Sequence, residues 1–401
     1  MRNPTVVSAV TTTAKAAGYG SPKREGPQPM DRDGGRPLPQ PARFRAARRT
    51  RPRIAAASPP QDTALAATVT RWLREQGVDV GGWPQLQRLA GGMSHLTYRL
   101  RYDTHDLVLR RPLQAHGGLQ RMRREFLLQT ALAAHYPVPA MLRLCADPAV
   151  AGAPFYLMAH VPGLVPRRRS FADAALSADQ ARQACENFLD ALIQLHRIDP
   201  CALGLGDAVL APPSAHHLRK LLTHWLGRHV RLKTWHTPDL RAMGQWLIDR
   251  VPARQPACLL HNDWRLDNLV FDRDRPSRIR AVLDWEFAGL GDPLMDLGIV
   301  LSYWIEPGDH PLMRRYQWQP SHLPGMPSRD ELVERYFAVT GCSDRDWTYY
   351  QVFGWFRYLL ALQELHLRHA LQGGEEKAFF TGVWALIHYL HWKCRALMRR
   401  G

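Results

Sequence analysis

Between Lys23 and Lys220 the 401-residue chain contains no lysine, so a cation needed in that stretch must be arginine or protonated histidine. Cysteine is sparse as well. Cys145, Cys185, Cys201, Cys258, Cys342 and Cys394 lie far apart with no Cys-x-x-Cys pair, which excludes zinc-like spacing and predicts free thiols in a reducing, cytoplasmic setting. Long hydrophobic runs are also missing. The longest uncharged apolar stretch near the middle, Leu297 to Ile305, is far shorter than the roughly 20 residues that cross a bilayer, so no membrane span is predicted.

What is present is a globular composition with a basic excess. Hydrophobic residues make up 45% of the chain, enough for a large core and two or three domains or lobes. The formal charge of +17 divides unevenly, because residues 1–60 hold twelve Lys or Arg against three acidic residues, a net of +9 that leaves +8 for the rest. That segment is rich in Pro, Gly, Ala and Arg without apolar periodicity, and reads as a disordered basic tail. Its arginine bias also fits a transit segment or an over-extended start, with Met30 as an internal alternative. No nucleic-acid recognition motif accompanies the charge, so no specific nucleic-acid partner is predicted. Nothing in the sequence specifies an oligomeric state.

After the tail the pattern is α+β in two lobes. Residues 61–162 read as a nucleotide-binding lobe: a helix from Asp62 to Gly77, a meander of strands at Leu86–Ala90, Leu96–Arg101 and Asp106–Arg110, a helix over Gln120–His135 and a strand at Phe155–Val161. The lobe reduces to a small antiparallel sheet with one helix. Residues 163–401 read as a larger, mainly helical catalytic and substrate-binding lobe, interrupted by strands at Ala257–Leu260, Asn268–Asp272 and Ile279–Trp285. A capping box is predicted at Ser328 and Glu331, and an N-cap at Asp292. Trp355, Tyr358, Leu359, Leu362 and the Trp384–Trp392 cluster are expected in the core.

The strongest chemical motif is the loop His261-Asn262-Asp263-Trp264-Arg265-Leu266-Asp267-Asn268 between two strands. Phosphoryl transfer to a hydroxyl requires a carboxylate near the attacking oxygen and an oxygen ligand on the metal that bridges the phosphates. Asp263 is the candidate base or orienter and Asn268 a metal ligand. Asp284, expected at the end of the next strand in Val282-Leu283-Asp284-Trp285-Glu286, is the second ligand, since magnesium prefers oxygen donors. This order of loops is that of kinases. His261 is read as a packing residue, Asp267 as a solvated loop charge and Asp296 as a brace for the loop. Glu286 reads equally as a group reaching the metal or substrate and as a structural hydrogen-bonding residue.

Because lysine is absent, arginine must meet the nucleotide phosphates. In Leu107-Val108-Leu109-Arg110-Arg111-Pro112, strand parity puts Arg110 on the face of Val108, which selects it over Arg111, with Glu125 as its partner. The turn Gly91-Gly92-Met93-Ser94 offers amides and the Ser94 hydroxyl to the phosphates, or is a plain hairpin turn. Met158 and His160, in the stretch ending at Val161, occupy the position of a hinge that reads adenine through its backbone. Pro166-Arg167-Arg168-Arg169 reads either as a contact for an acidic substrate or as a solvent-facing run. Tyr349, Tyr350 and Arg357 are assigned to the substrate pocket or to the core.

Leu260 to Leu297 resembles the aminoglycoside-phosphotransferase-like superfamily, with its Asp-x-x-x-x-Asn loop and its Asp-Trp-Glu, Gly-Asp-Pro and Asp-Leu run. The resemblance covers most of residues 62–401. Gly-Gly-x-Ser-x-Leu-Thr-Tyr, Val-Leu-Arg-Arg-Pro and Pro-Phe-Tyr-x-Met look like the branch fused elsewhere to acyl-CoA dehydrogenases, although no dehydrogenase-like segment is read in these residues. The resemblance implies a protein-kinase-like fold, ATP and magnesium, and a hydroxy acid or hydroxyacyl-CoA as acceptor. Asn262 stands where many members carry glycine. The +8 of residues 61–401 favours a small anionic acceptor over a polycationic antibiotic. An aminoglycoside, macrolide or choline-like kinase and a nucleotide-binding pseudokinase remain as alternatives.

Overall fold

The computed structural model describes residues 60–89, 95–113, 118–167, 176–253, 256–342, 346–371 and 382–400. The basic tail up to residue 59, the turn 90–94 with Ser94, and Arg168 and Arg169 lie outside the described residues.

Helix α1 (Pro60–Glu75) precedes strands β1 (Gln85–Leu89), β2 (His95–Arg101) and β3 (Asp106–Pro112). Then come α2 (Gly118–Leu132), β4 (Met141–Cys145), the short α3 (Pro148–Ala151) and β5 (Phe155–Ala159). The strands form one antiparallel sheet in the order β1-β2-β3-β5-β4. Sequence reading finds the meander and β5 but not β4, a short edge strand that follows Pro137 and Pro139 and lacks alternation.

The two faces of the sheet are covered by different helices. Leu107 and Leu109 of β3 pack with Val69 and Leu73 of α1, whereas Val108 joins Tyr156, Met158 and Met122 of α2. A strand buried on both faces reads as a continuous apolar run. Alternation therefore sends Arg110 to the α2 side, as its parity with Val108 requires.

The remainder is mainly helical: α4 (Ala178–His196), α5 (Ala215–Leu232) and α6 (Arg241–Asp249) precede two small hairpin-like pairs. Strand β6 (Cys258–Leu260) pairs with β9 (Gly289–Gly291), and β7 (Leu269–Phe271) with β8 (Ile279–Val282). Helices α7 (Pro293–Tyr303), α8 (Pro311–Arg315), α9 (Arg329–Thr340), α10 (Trp347–Leu371) and α11 (Val383–Met398) follow. Ser328 and Glu331 form the capping box of α9, and Asp292 caps α7 by accepting the Leu294 N–H at 2.9 Å.

Helix α7 is buried along its whole length, which matches its apolar composition on every side. It meets α10 at backbone distance. A Cβ on Gly298 would lie 2.2 Å from the carbonyl oxygen of Tyr350, and one on Gly354 would lie 2.1 Å from that of Gly298. Trp355, Tyr358, Leu359 and Leu362 are core residues, but Trp384 and Trp392 are 46% and 63% exposed. In α11 the buried stripe is Val383, Leu386, Ile387, Leu390 and Cys394, so the two tryptophans fall on the opposite face.

Candidate active site

The loop 261–268 spans from β6 to β7, and the segment 283–288 spans from β8 to β9. The Leu283 N–H donates to the Asn268 carbonyl at 2.8 Å, which fixes the two segments side by side. Asp296, fully buried on α7, holds the first of them. Its carboxylate accepts the backbone N–H groups of His261 at 2.8 Å and Asn262 at 2.7 Å, and lies 3.2 Å from His196 Nε2. Burial alone would raise the pKa of Asp296, but His196 and these hydrogen bonds hold it below the usual carboxylate range.

Within the loop, the Asn268 side-chain amide donates to the Asp263 carbonyl oxygen at 2.8 Å and to Asp263 Oδ2 at 3.0 Å. That bidentate grip leaves Asn268 Oδ1 and Asp263 Oδ1 without donors among the described residues. His261 accepts the Asp263 N–H at Nδ1 (3.2 Å), so Nε2 carries the proton donated to the Leu283 carbonyl at 2.9 Å. Its ring packs against the buried Trp264 and Trp285.

Asp267 is not a solvated charge. It faces Arg265 at 3.2 Å, and Arg265 also lies 3.7 Å from Asp263 Oδ2. Burial opposes the Arg265 charge, yet Asp263 and Asp267 together hold its pKa above the ordinary arginine value.

Asp284 lies two residues beyond the end of β8, with a left-handed φ of 67°. Only glycine adopts this region freely, and such strain is typical of functional turns. The turn aims the Asp284 carboxylate at Arg110, whose Nη2 donates a hydrogen bond to it. Burial would raise the Asp284 pKa, but the Arg110 charge outweighs it and holds the group deprotonated. On its other side Arg110 lies 3.9 Å from Glu125 of α2, which also accepts the Tyr156 hydroxyl at 3.0 Å. Arg111 turns away and donates to the Ala151 carbonyl.

Several carboxylates therefore crowd around one guanidinium. Glu286 pays for this with a pKa pushed up to about 8, by burial first and then by the charge of Asp284. The donor set fits a divalent cation: the Asn268 amide oxygen and the deprotonated Asp284 carboxylate belong to adjacent segments.

A family model described as the phosphotransferase enzyme family matches residues 85–332, the span that contains all of these groups. The chain belongs to that family.

Among curated relatives of this phosphotransferase-family chain, acyl-CoA dehydrogenase family member 10 of Mus musculus is 31% identical over 73% of the chain and 27% of its own length. Acyl-CoA dehydrogenase family member 11 of Homo sapiens is 27% identical over 73% of the chain and 37% of its own length. The chain thus spans well under half of these relatives. Among solved structures, a Ralstonia eutropha protein described as a candidate aminoglycoside phosphotransferase has a TM-score of 0.65 at 24% identity, covering 83% of this chain and 98% of its own. The GDP complex of aminoglycoside 2'-phosphotransferase-IIIa gives a TM-score of 0.53 at 17% identity, covering 81% and 98%. These neighbours share the α+β, kinase-like two-lobed fold expected from the sequence.

Of the sequence candidates, Arg110, Glu125, Asp263, Asn268 and Asp284 fall in these linked contacts. Met158 sits on the same sheet face as Val108. In the hinge stretch, the His160 N–H donates to the Asp106 carbonyl at 2.8 Å and its Nδ1 lies 3.3 Å from the Asp106 carboxylate. Tyr349 and Tyr350 are buried, the latter donating to Asp292 at 2.8 Å, and belong to the core.

Sequence reasoning misses His95, which lies 3.1 Å from Arg110 Nη2 and 3.6 Å from Glu286. The register of the β2–β3 pair carried the signal. Thr97 is opposite Arg110, which puts His95 on the neighbouring diagonal of the same face. Arg124 is also missed; from α2 it donates to the carbonyls of Val209 (2.8 Å) and Ala288, tying the helix to the segment after Asp284.

Proposed function

We propose that the protein is an ATP- and magnesium-dependent kinase that phosphorylates a hydroxyl of a small anionic metabolite, a hydroxy acid or a hydroxyacyl-CoA. The observation that carries this reading is the grip of Asn268 on Asp263 beside the Arg110–Asp284 contact. Asp263 Oδ1 is free to accept the hydrogen bond of the acceptor hydroxyl, while the amide of Asn268 fixes the other oxygen. As the acceptor oxygen bonds to the γ-phosphorus and the bond to the β-phosphate oxygen breaks, Asp263 takes the hydroxyl proton and ADP leaves.

Arg110, oriented by Glu125, meets the nucleotide phosphates, joined by Ser94, and Met158 contributes to the adenine pocket. Asn268 and Asp284 would hold magnesium, which supplies charge neutralisation on the phosphates when bound. Residues 61–162 supply the nucleotide side and residues 163–401 the catalytic and acceptor side. The net +8 of residues 61–401 supports an anionic acceptor, and the acyl-CoA dehydrogenase names of the relatives support an acyl one.

The test is acceptor-dependent ADP release by the wild type and by Asp263→Asn. Asparagine retains the acceptor for the Asn268 amide but not the basicity, so turnover should fall by about 10²–10⁴-fold with ATP binding intact. Unchanged turnover in the variant would exclude Asp263 from that role.

A further inference from the structure

Arg357 differs from the other arginines around the site in what surrounds it. Arg110 and Arg265 face carboxylates, whereas half-buried Arg357 on α10 has no ion pair or hydrogen bond among the described residues. Its guanidinium instead lies 4.8 Å from the ring centroid of Phe287 and 5.9 Å from that of Trp225. A guanidinium against aromatic rings is weakly hydrated and held in orientation, with its N–H edge left for a planar anion.

The place of this cation is informative. Phe287 follows Asp284 by three residues, is 46% exposed, and accepts the Asn262 side-chain amide at its carbonyl at 3.1 Å, which places it beside the loop 261–268. Tyr303 lies on the inner side, its ring 5.0 Å from the Arg265 guanidinium and 4.5 Å from Tyr358, the neighbour of Arg357 in sequence. The Tyr303 hydroxyl has its pKa pushed up to about 12, by burial first and by Asp263 next, against the opposing charges of Arg265 and Arg357. Contacts therefore run from Asp263 through Arg265, 3.7 Å away, and Tyr303 to Tyr358 on the helix that carries Arg357.

We propose that Arg357 receives the anionic end of the phosphoryl acceptor, whose hydrocarbon part lies on Phe287 and Trp225 and whose hydroxyl is directed towards Asp263. This rests on the kinase reading and its anionic hydroxyacyl acceptor, and names the residue that recognises the anion. The shared chemistry is an anion on a short apolar chain, supplied either by the carboxylate of a free hydroxy acid or by the phosphates of its coenzyme A thioester.

Calorimetric titration separates these sources without requiring turnover. A hydroxyhexanoate, its methyl ester and its coenzyme A thioester are titrated into wild type, Arg357→Met and Arg357→Lys, and the same probes are assayed for phosphoryl transfer. Wild type should bind at least one anionic probe about 10–100-fold more tightly than the neutral ester. Arg357→Met should erase that preference while leaving ester binding unchanged, and Arg357→Lys should restore part of it. Tighter binding of the free acid assigns the carboxylate as the recognised group, and tighter binding of the thioester assigns the phosphates. Equal binding of acid, thioester and ester by wild type, no binding of either anion, or full anion binding by Arg357→Met overturns the proposal. Selective binding without transfer would sink the kinase reading alone; transfer without a contribution from Arg357 would sink this assignment alone.

Discussion

Arg110 on β3 donates a hydrogen bond to Asp284, a residue 174 positions further along the chain, and so joins the sheet to the loop that follows β8. Its Nε lies 3.9 Å from Glu125, so one planar fork spans two carboxylates. A lysine cannot span both.

Arg110→Lys tests that geometry with the charge retained. ATP binding in magnesium should weaken about tenfold, ~1.4 kcal/mol, because a point cation replaces the fork. Nucleotide titration reads this directly, and an unchanged dissociation constant would mean that the fork does not serve the phosphates.

Asn262 has a left-handed φ of 60° and donates its side-chain amide to the Phe287 carbonyl at 3.1 Å. Glycine adopts that conformation freely and loses only the hydrogen bond, a cost of about 0.5–1.5 kcal/mol. Alanine loses the bond and also bears about 1–2 kcal/mol of backbone strain. Urea unfolding should therefore rank the wild type first, Asn262→Gly second and Asn262→Ala last. Alanine matching the wild type would remove the strain argument.

His95 stays neutral in the folded protein down to about pH 3, because burial and the charge of Arg110 both oppose its protonation. In the unfolded chain it protonates near its ordinary value of 6.5. Between those limits the unfolded state binds the extra proton, so stability falls with falling pH by about 1.4 kcal/mol per unit from this group. Unfolding free energies of the metal-free protein should show the gap between wild type and His95→Gln narrowing from about pH 6.5 towards 3. A constant gap would show that His95 is not held neutral.

The arrangement was legible where it is local. Asp263 and Asn268 are fixed by one loop, and Asp284 follows within a single strand and turn, so their spacing in sequence carries their spatial relation. Arg110 was legible through parity, a property of one strand. The groups that escaped are assembled from distant segments. Asp267 looked like a solvated loop charge because only the tertiary fold buries it against Arg265, and the choice between pocket and core for Arg357 stayed open because its aromatic neighbours come from α5 and from the segment after Asp284. The bond from the His160 N–H to the Asp106 carbonyl was hidden for the same reason, because it joins the end of β5 to the start of β3. The exposed Trp384 and Trp392 show that aromatic content alone does not locate a core; their phase against the buried stripe of α11 does.

The backbone contact of Gly298 with Gly354 makes α10 a common mount for two unlike tasks. On one side the helix fixes the depth of α7, and with it Asp296, which hangs the His261–Asn262 corner from its carboxylate. Three residues past Gly354, on the neighbouring part of the same helical face, Arg357 reaches the rings of Phe287 and Trp225. A methyl group at either glycine would separate α7 from α10 and displace Asp296 together with the His261–Asn262 corner that it holds. The gap between two helices, closed to the width of a hydrogen atom, thus decides where a loop on neither of them sits.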